Sequence, residues 1–337
     1  MSRTLEEALE APDRVADLLS RDGALYAGLG GRLRRSPPAA VLTIARGSSD
    51  HAAAYGAYLL SAATGRPVAS LPPSLVSLGG AALAVPGQLA LAVSQSGRSP
   101  DLVACLEAAR TGGAVAVACV NEADSPLARA AEIVLPHHAG PELAVAATKS
   151  FLCSAAALAR LTAAWSEDAG LAGALDGLPA ILRAAAEAGL RADTRWVEGA
   201  AGHAYVVARG AGLPVAGEVA LKLKETCGLH AEAFSSAELR HGPREIVDGR
   251  FVVLALAPPG PGQADVLAAA RELEGQGAKI VVAGPPDSFL PLPEDLDPRL
   301  APLAAAQALY PLLARTALAL GRDPDRPRTL AKVTLTT

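Results

Sequence analysis

The chain has 337 residues, 51% of them hydrophobic, 19% charged and only 3% aromatic, and its 30 basic and 34 acidic residues leave a net charge of −4. That length predicts two domains or two fused copies of one, and the mixing of acids and bases without a basic stripe argues against nucleic acid as a partner. No apolar run reaches the ~18 residues of a membrane span, MSRTLEEALEAPDRV is acidic and amphipathic rather than a targeting peptide, and Cys105, Cys119, Cys153 and Cys227 form no CxxC pair or metal-ligand cluster. The expectation is a soluble cytoplasmic protein that holds no metal, with a core built mainly from Ala, Val and Leu.

Short apolar runs alternate with Ala/Leu-rich segments of helical period, the pattern of an α/β protein with parallel sheets. A strand over 41–45 runs into Arg46-Gly47-Ser48-Ser49 and a helix. A second, over 89–93, runs into Ser94-Gln95-Ser96-Gly97 and a helix over 101–111, and strands over 114–120 and 132–135 follow. The segment 168–192 reads as a helical bridge. Beyond it the layout repeats: 205–210 lies over 42–47 and 254–260 over 91–97 at an offset of 163 residues, and 277–278 over 113–114 one residue later. Three strands in register argue for an internal duplication. The copies differ in chemistry, since Ala257-Pro258-Pro259 stands where the first half has Ser94-Gln95-Ser96.

The turn Ser94–Ser99 follows a strand and precedes a helix. Unpaired N–H groups at a helix start attract an anion, and small hydroxyls add neutral donors; only Arg98 brings a charge. Ser99 also suits the N-cap of the next helix. Ser48 and Ser49 sit at the turn of the preceding strand, so two hydroxyl-bearing turns can meet at one sheet edge. Ordinary capping by Ser and Gln is the plainer alternative.

Of the 30 basic residues only five are Lys: Lys149, Lys222, Lys224, Lys279 and Lys332. A lysine retained in so Arg-rich a chain is a candidate for work Arg cannot do, such as forming a Schiff base. Lys222 shares a helix face with Glu218 and Glu225, a pattern that also fits a surface salt-bridge ladder. Lys332 lies in a coil-like tail, where a solvated lysine is equally expected. Residues 228–243 read as a polar loop in which His230, Glu232, Glu238 and His241 offer general acid–base groups.

The stretches ARGSSDHAAAYGAYLL, SQSGRSPDL, AGPELAVAATKSF, GEVALKLKETCGLHAEAFSSAELRHGP and PRTLAKVT resemble, in order, the SIS (sugar isomerase) superfamily. The likeness is to the isomerase half of glucosamine-6-phosphate synthase and to the stand-alone glucosamine-6-phosphate deaminases. It implies two tandem flavodoxin-like SIS subdomains over 37–166 and 194–322. An N-terminal helical segment over 1–36, a bridge over 167–193 and a tail over 323–337 complete the layout. It implies phosphate binding by Ser49, Ser94, Gln95, Ser96 and Ser99, with Ser48 adjacent, and a backbone contact to the sugar at Val145. Glu225 falls on the proton-shuttling glutamate, Lys222 on the helix lysine, Lys332 on the Schiff-base lysine, and His241 on a ring-opening histidine that reaches the partner's site in a homodimer.

The synthase begins with a glutaminase domain and a terminal Cys. Here Met1-Ser2 and a pattern starting near residue 40 lead us to expect none. HAEAFSSAELRHGP is closer to the deaminases, whereas Arg46 replaces a smaller residue. The implied reaction converts glucosamine 6-phosphate to fructose 6-phosphate and ammonia without a cofactor. The alternatives are a phosphorylated-fructosamine deglycase or another phosphosugar isomerase and, of another class, a non-catalytic sugar-phosphate sensor.

Overall fold

The computed structural model describes residues 1–293 and 295–332, so residues 333–337 of the predicted tail lie outside the described residues. Helices α1 (Arg3–Ser20) and α2 (Gly23–Arg35) precede β1 (Val41–Ile44), α3 (Gly47–Thr64), β2 (Val68–Ser70) and the short α4 (Ser74–Ser77). The first half continues through β3 (Leu89–Ser94), α5 (Pro100–Thr111), β4 (Val115–Val120), α6 (Pro126–Ala130) and β5 (Ile133–Pro136). Two long helices, α7 (Lys149–Ser166) and α8 (Ala169–Arg191), lead to β6 (His203–Ala208), α9 (Gly212–Lys222) and β7 (His230–Ser235). The second half closes with β8 (Phe251–Leu256), α10 (Gln263–Glu274), β9 (Lys279–Gly284), β10 (Leu290–Pro291) and α11 (Ala301–Ala319).

All strand pairs are parallel, in two five-stranded sheets ordered β2-β1-β3-β4-β5 and β10-β9-β8-β6-β7. Read from its β7 edge, the second sheet has the order of the first. The registers carry the duplication further. Val41 faces Leu89, and 163 residues on Ala204 faces Val252; Leu89 faces Val115, and Val252 faces Lys279. The one-residue slip seen in the sequence therefore falls between the third and fourth strands of the repeat. The fold is α/β with two tandem SIS-like sheets.

Every residue of β3 and β8 is buried, as expected of central parallel strands covered on both faces. Ala90, Ala92, Ala116 and Ala118 keep the first sheet flat enough for Leu102, Cys105, Leu106 and Ala109 of α5 to pack on it. The second sheet uses larger groups. Tyr205 stacks edge-on against Phe234 and Phe251, with centroids 4.8 and 5.1 Å away, and Val266 and Leu273 of α10 join them.

One sequence expectation changes. Residues 230–235, read as loop, form the edge strand β7, whose amides pair with β6. An edge strand buries little, so His230 and Glu232 remain exposed and the segment looks polar.

The chain divides into two compact units. One comprises Met1–Pro12, Leu143–Thr148 and Gly177–Leu330 and carries the second sheet; the other comprises Asp13–Glu142, Lys149–Asp176 and the chain from Ala331, and carries the first. No helix among the described residues is long and apolar enough to cross a membrane.

Candidate active site

In the first-sheet unit, β1 and β3 are neighbours while the chain leaves them in opposite directions, toward β2 and toward β4. Ligands of open α/β sheets settle in the crevice at the carboxyl ends of such a pair. Both serine turns emerge there. Ser94 is buried, and its Oγ accepts the Gly97 N–H at 3.0 Å, closing the turn from within. Gly97 has φ 61°, and a Cβ there would collide with Ser125, so glycine is required on both grounds. Ser99 occupies the N-cap of α5 in extended conformation but makes no capping bond with its side chain. Its hydroxyl, and that of Ser96, are left half-buried at a helix start.

Ser48 and Ser49 lie not in a turn but in the first turn of α3, which begins at Gly47. The residue before it adds something the serines do not. Arg46 Nε and Nη2 donate to Asp101 Oδ2 at 3.1 and 2.9 Å, and Asp101 is fully buried in the first turn of α5. A guanidinium is thus tied between the two serine-bearing turns. Asp50, one turn into α3, has its carboxyl pushed up by burial, against the pull of Arg46.

Lys332 belongs to the same unit. Its Nζ donates to Glu142 Oε2 at 3.0 Å, and Glu142 is wholly buried, also accepting the Ser150 amide at 3.1 Å and hydroxyl at 2.6 Å. Lys332 is therefore not a solvated tail residue. Deeper in the unit, Ser154 Oγ donates to the Ser150 carbonyl and approaches His137 Nδ1 at 3.2 Å, and His137 Nε2 meets Cys119 Sγ at 3.1 Å. Burial pulls the His137 imidazole down to about 4, so it is neutral, and pushes the Cys119 thiol far up.

The second-sheet unit holds Val145, Lys222, Glu225 and His241. The loop bearing Val145 is pinned by the buried Glu7 of α1, which accepts the Leu143 and Ala144 amides at 2.6 and 3.1 Å. At the end of α9 the helix widens into a π-turn, Leu223–Cys227, capped by Gly228 with φ 63°. Such turns displace one residue from the helical ladder and recur at functional sites. Lys222 lies just before it, 2% exposed, with Nζ 2.5 Å from Glu225 Oε2 and 3.5 Å from Glu218 Oε1. Glu218 is completely buried and accepts the Tyr310 hydroxyl at 3.2 Å. The surface-ladder alternative fails: this is an interior cluster with only Glu225 partly open, at 18%.

Glu225 opens on a cavity of about 840 Å³, also lined by Lys224, Arg322, Asp323, Arg326 and Arg328. His241 ends a 3₁₀ turn, Glu238–His241, and is exposed; no hydrogen bond joins it to Glu225 or Lys222. Its neighbours are braced. Arg240 and Arg244 both donate to Glu272 of α10, at 2.8 and 3.2 Å, and Tyr205 donates to the Pro243 carbonyl at 2.9 Å. Hydrogen bonding from Arg240 holds the Glu272 carboxyl below its usual range. Sequence reading missed Glu7, Asp101, Glu142 and Glu272. Glu142 alone carried a signal, as the only acid in AGPELAVAATKS.

The SIS domain pattern matches residues 37–164 and 200–289. The chain belongs to the SIS domain family. Across 98% of its length it is 33% identical to a glutamine–fructose-6-phosphate aminotransferase of Aeropyrum pernix, of which it covers 54%. The Methanothermobacter thermautotrophicus aminotransferase is 31% identical over 97% of this chain and 56% of that protein. The chain thus spans about half the length of these curated relatives. Among solved structures, a Silicibacter pomeroyi protein proposed to be a phosphosugar isomerase is 40% identical with TM-score 0.89, covering 96% of this chain and 100% of that one.

Proposed function

We propose that this SIS protein is a phosphosugar isomerase that releases nitrogen from an amino-sugar 6-phosphate, taking glucosamine 6-phosphate to fructose 6-phosphate and ammonia. The observation that carries the reading is the Lys222–Glu225 pair: a lysine sealed in the interior beside a glutamate whose other side faces a cavity. A buried cation keeps that glutamate ionised and ready to take a proton.

The phosphate is held at Ser94–Ser99 with Ser48, Ser49 and Gln95. His241 opens the sugar ring, acting from the partner subunit of a homodimer. Glu225 moves the C2 proton to C1, leaving an imine at C2. Lys332 adds to that carbon and displaces ammonia, and water then releases fructose 6-phosphate from the lysine. Glu142 holds the ammonium of Lys332 until the sugar arrives.

Two facts support this reading over a non-catalytic sensor. Glu225, His241 and Lys332 are all present, and Lys222 and Lys332 are each engaged by carboxylates rather than left in solvent. The test is incubation of the pure protein with glucosamine 6-phosphate, following free ammonia and fructose 6-phosphate. Equal amounts of both products support the reading; tight binding without turnover points to a sensor.

A further inference from the structure

The cavity beside Glu225 has more positive charge than the proposed reaction requires. Lys224 lies on the π-turn, and Arg322, Arg326 and Arg328 come from the chain just beyond α11. Among the described residues, none of these four side chains makes an ion pair or hydrogen bond to a carboxylate. That is unusual in this chain: Arg46, Arg195, Arg240, Arg244, Arg250 and Arg299 all do. Two acids share the wall. Glu225 is committed to Lys222, and Asp323 accepts the backbone N–H of Asp325 at 2.9 Å.

The wall is also shaped. The Arg322 guanidinium lies against Gly228, where a Cβ would strike it, so the glycine that caps the π-turn also makes room for the cation. Asp325 anchors the segment by accepting the amides of Arg3 and Thr4 at 2.8 and 2.7 Å, which caps α1. Arg326 and Arg328 follow directly.

Ammonia gives four unpaired cations nothing to bind. Resting on the assignment of Glu225 as the group that moves a proton between C1 and C2, we infer that the cavity receives the substituent on the substrate's nitrogen and that this substituent carries a carboxylate. The substrate class is a 1-amino-1-deoxyketose 6-phosphate whose amine is an amino acid. The same glutamate takes a proton from C1 and returns it to C2, converting the C1–N single bond and C2 carbonyl into a C1=N imine and a C2 hydroxyl. Water adds to C1, the C–N bond breaks, and the amino acid departs with an aldose 6-phosphate. No oxidant or reductant is consumed.

The test compares the fructosamine 6-phosphate of glycine with that of methylamine, which lacks only the carboxylate, with glucosamine 6-phosphate run alongside. The wild-type protein should turn over the glycine compound with kcat/KM at least tenfold above the methylamine compound, as expected for one charge-assisted contact. In Arg326→Ala the ratio of the two should fall toward one, and Arg326→Lys should restore part of it. If glucosamine 6-phosphate is consumed while the two ketosamines are used equally or not at all, the inference falls and the proposed function stands. If all three are inert, the proposed function fails and the inference fails with it.

Discussion

Lys332 and Glu142 lie 190 residues apart in the chain and 3.0 Å apart in the fold. The glutamate is wholly buried and receives three donors, two of them from Ser150 at the start of α7. A buried carboxylate is stable only with such company. Pairing it with a tail lysine sets that lysine in one place, as a group that must meet a carbonyl requires.

The phosphate turn makes its serines unequal. Ser94 spends its hydroxyl on the Gly97 amide, whereas Ser99 makes no capping bond and Ser96 receives only the Arg98 amide, at a long 3.3 Å. Ser96→Ala and Ser99→Ala should each raise KM for a phosphorylated substrate about tenfold, the equivalent of ~1–1.5 kcal/mol. Ser94→Ala should lower the thermal midpoint as well. Steady-state kinetics and melting curves on the three variants check this, and a silent Ser96→Ala would remove this turn from the site.

Lys222 separates an interior cluster from a surface ladder by the size of its effect. Lys222→Met strips the cation from Glu218 and Glu225, and losing one partner of a buried pair costs about 3–5 kcal/mol. A ladder on an exposed helix face is worth a few tenths of a kcal/mol. Denaturant unfolding of the variant distinguishes the two, and a loss below about 1 kcal/mol would contradict the burial.

The neutral His137 makes stability depend on acid. Its native value is about 4 against 6.5 for the free side chain, so between those limits the unfolded chain takes up a proton that the native state refuses. Stability from this group is therefore full above pH 6.5 and is lost as pH falls toward 4, by roughly 3 kcal/mol in all. Unfolding free energies of wild type and His137→Asn at pH 7 and pH 4.5 check this. The wild type should lose more on acidification, and parallel losses would contradict it.

Glu225→Gln and His241→Asn should each be nearly inactive, since general acid–base steps are worth about 10²–10⁴-fold. If His241 serves the partner's site, mixing the two variants under subunit exchange gives heterodimers in which one site collects both lesions and the other none. Activity should then recover toward about a quarter of wild type, for random exchange and independent sites. No recovery, with exchange verified by pull-down of a tag, would leave the histidine acting within its own chain.

How much of this was legible in the sequence follows from the range of each interaction. The strands, their parallel order and the repeat at 163 residues were readable because periodicity is local and a duplication compares the chain with itself. The scarcity of lysine drew attention to Lys222 and Lys332. Whether Lys222 was buried was not readable, because the i, i+3 and i+4 spacing is the same on an interior and an exposed helix face. Glu142, Asp101, Glu7 and Glu272 escaped for a different reason. Each meets its partner across tens of residues or more, and no local pattern marks an acid that will be buried. The π-turn at Leu223–Cys227 was invisible too, since its residues are ordinary helix formers.

The central claim is that Lys332 is the residue that engages the sugar carbon, with Glu142 holding it beforehand. The direct measurement is borohydride reduction of the protein in the presence of fructose 6-phosphate, followed by peptide mass mapping. A reducible Schiff base should leave the sugar on Lys332, with labelling much reduced in Glu142→Gln. A sugar found on Lys222, or on no lysine while the protein still turns over substrate, would contradict it.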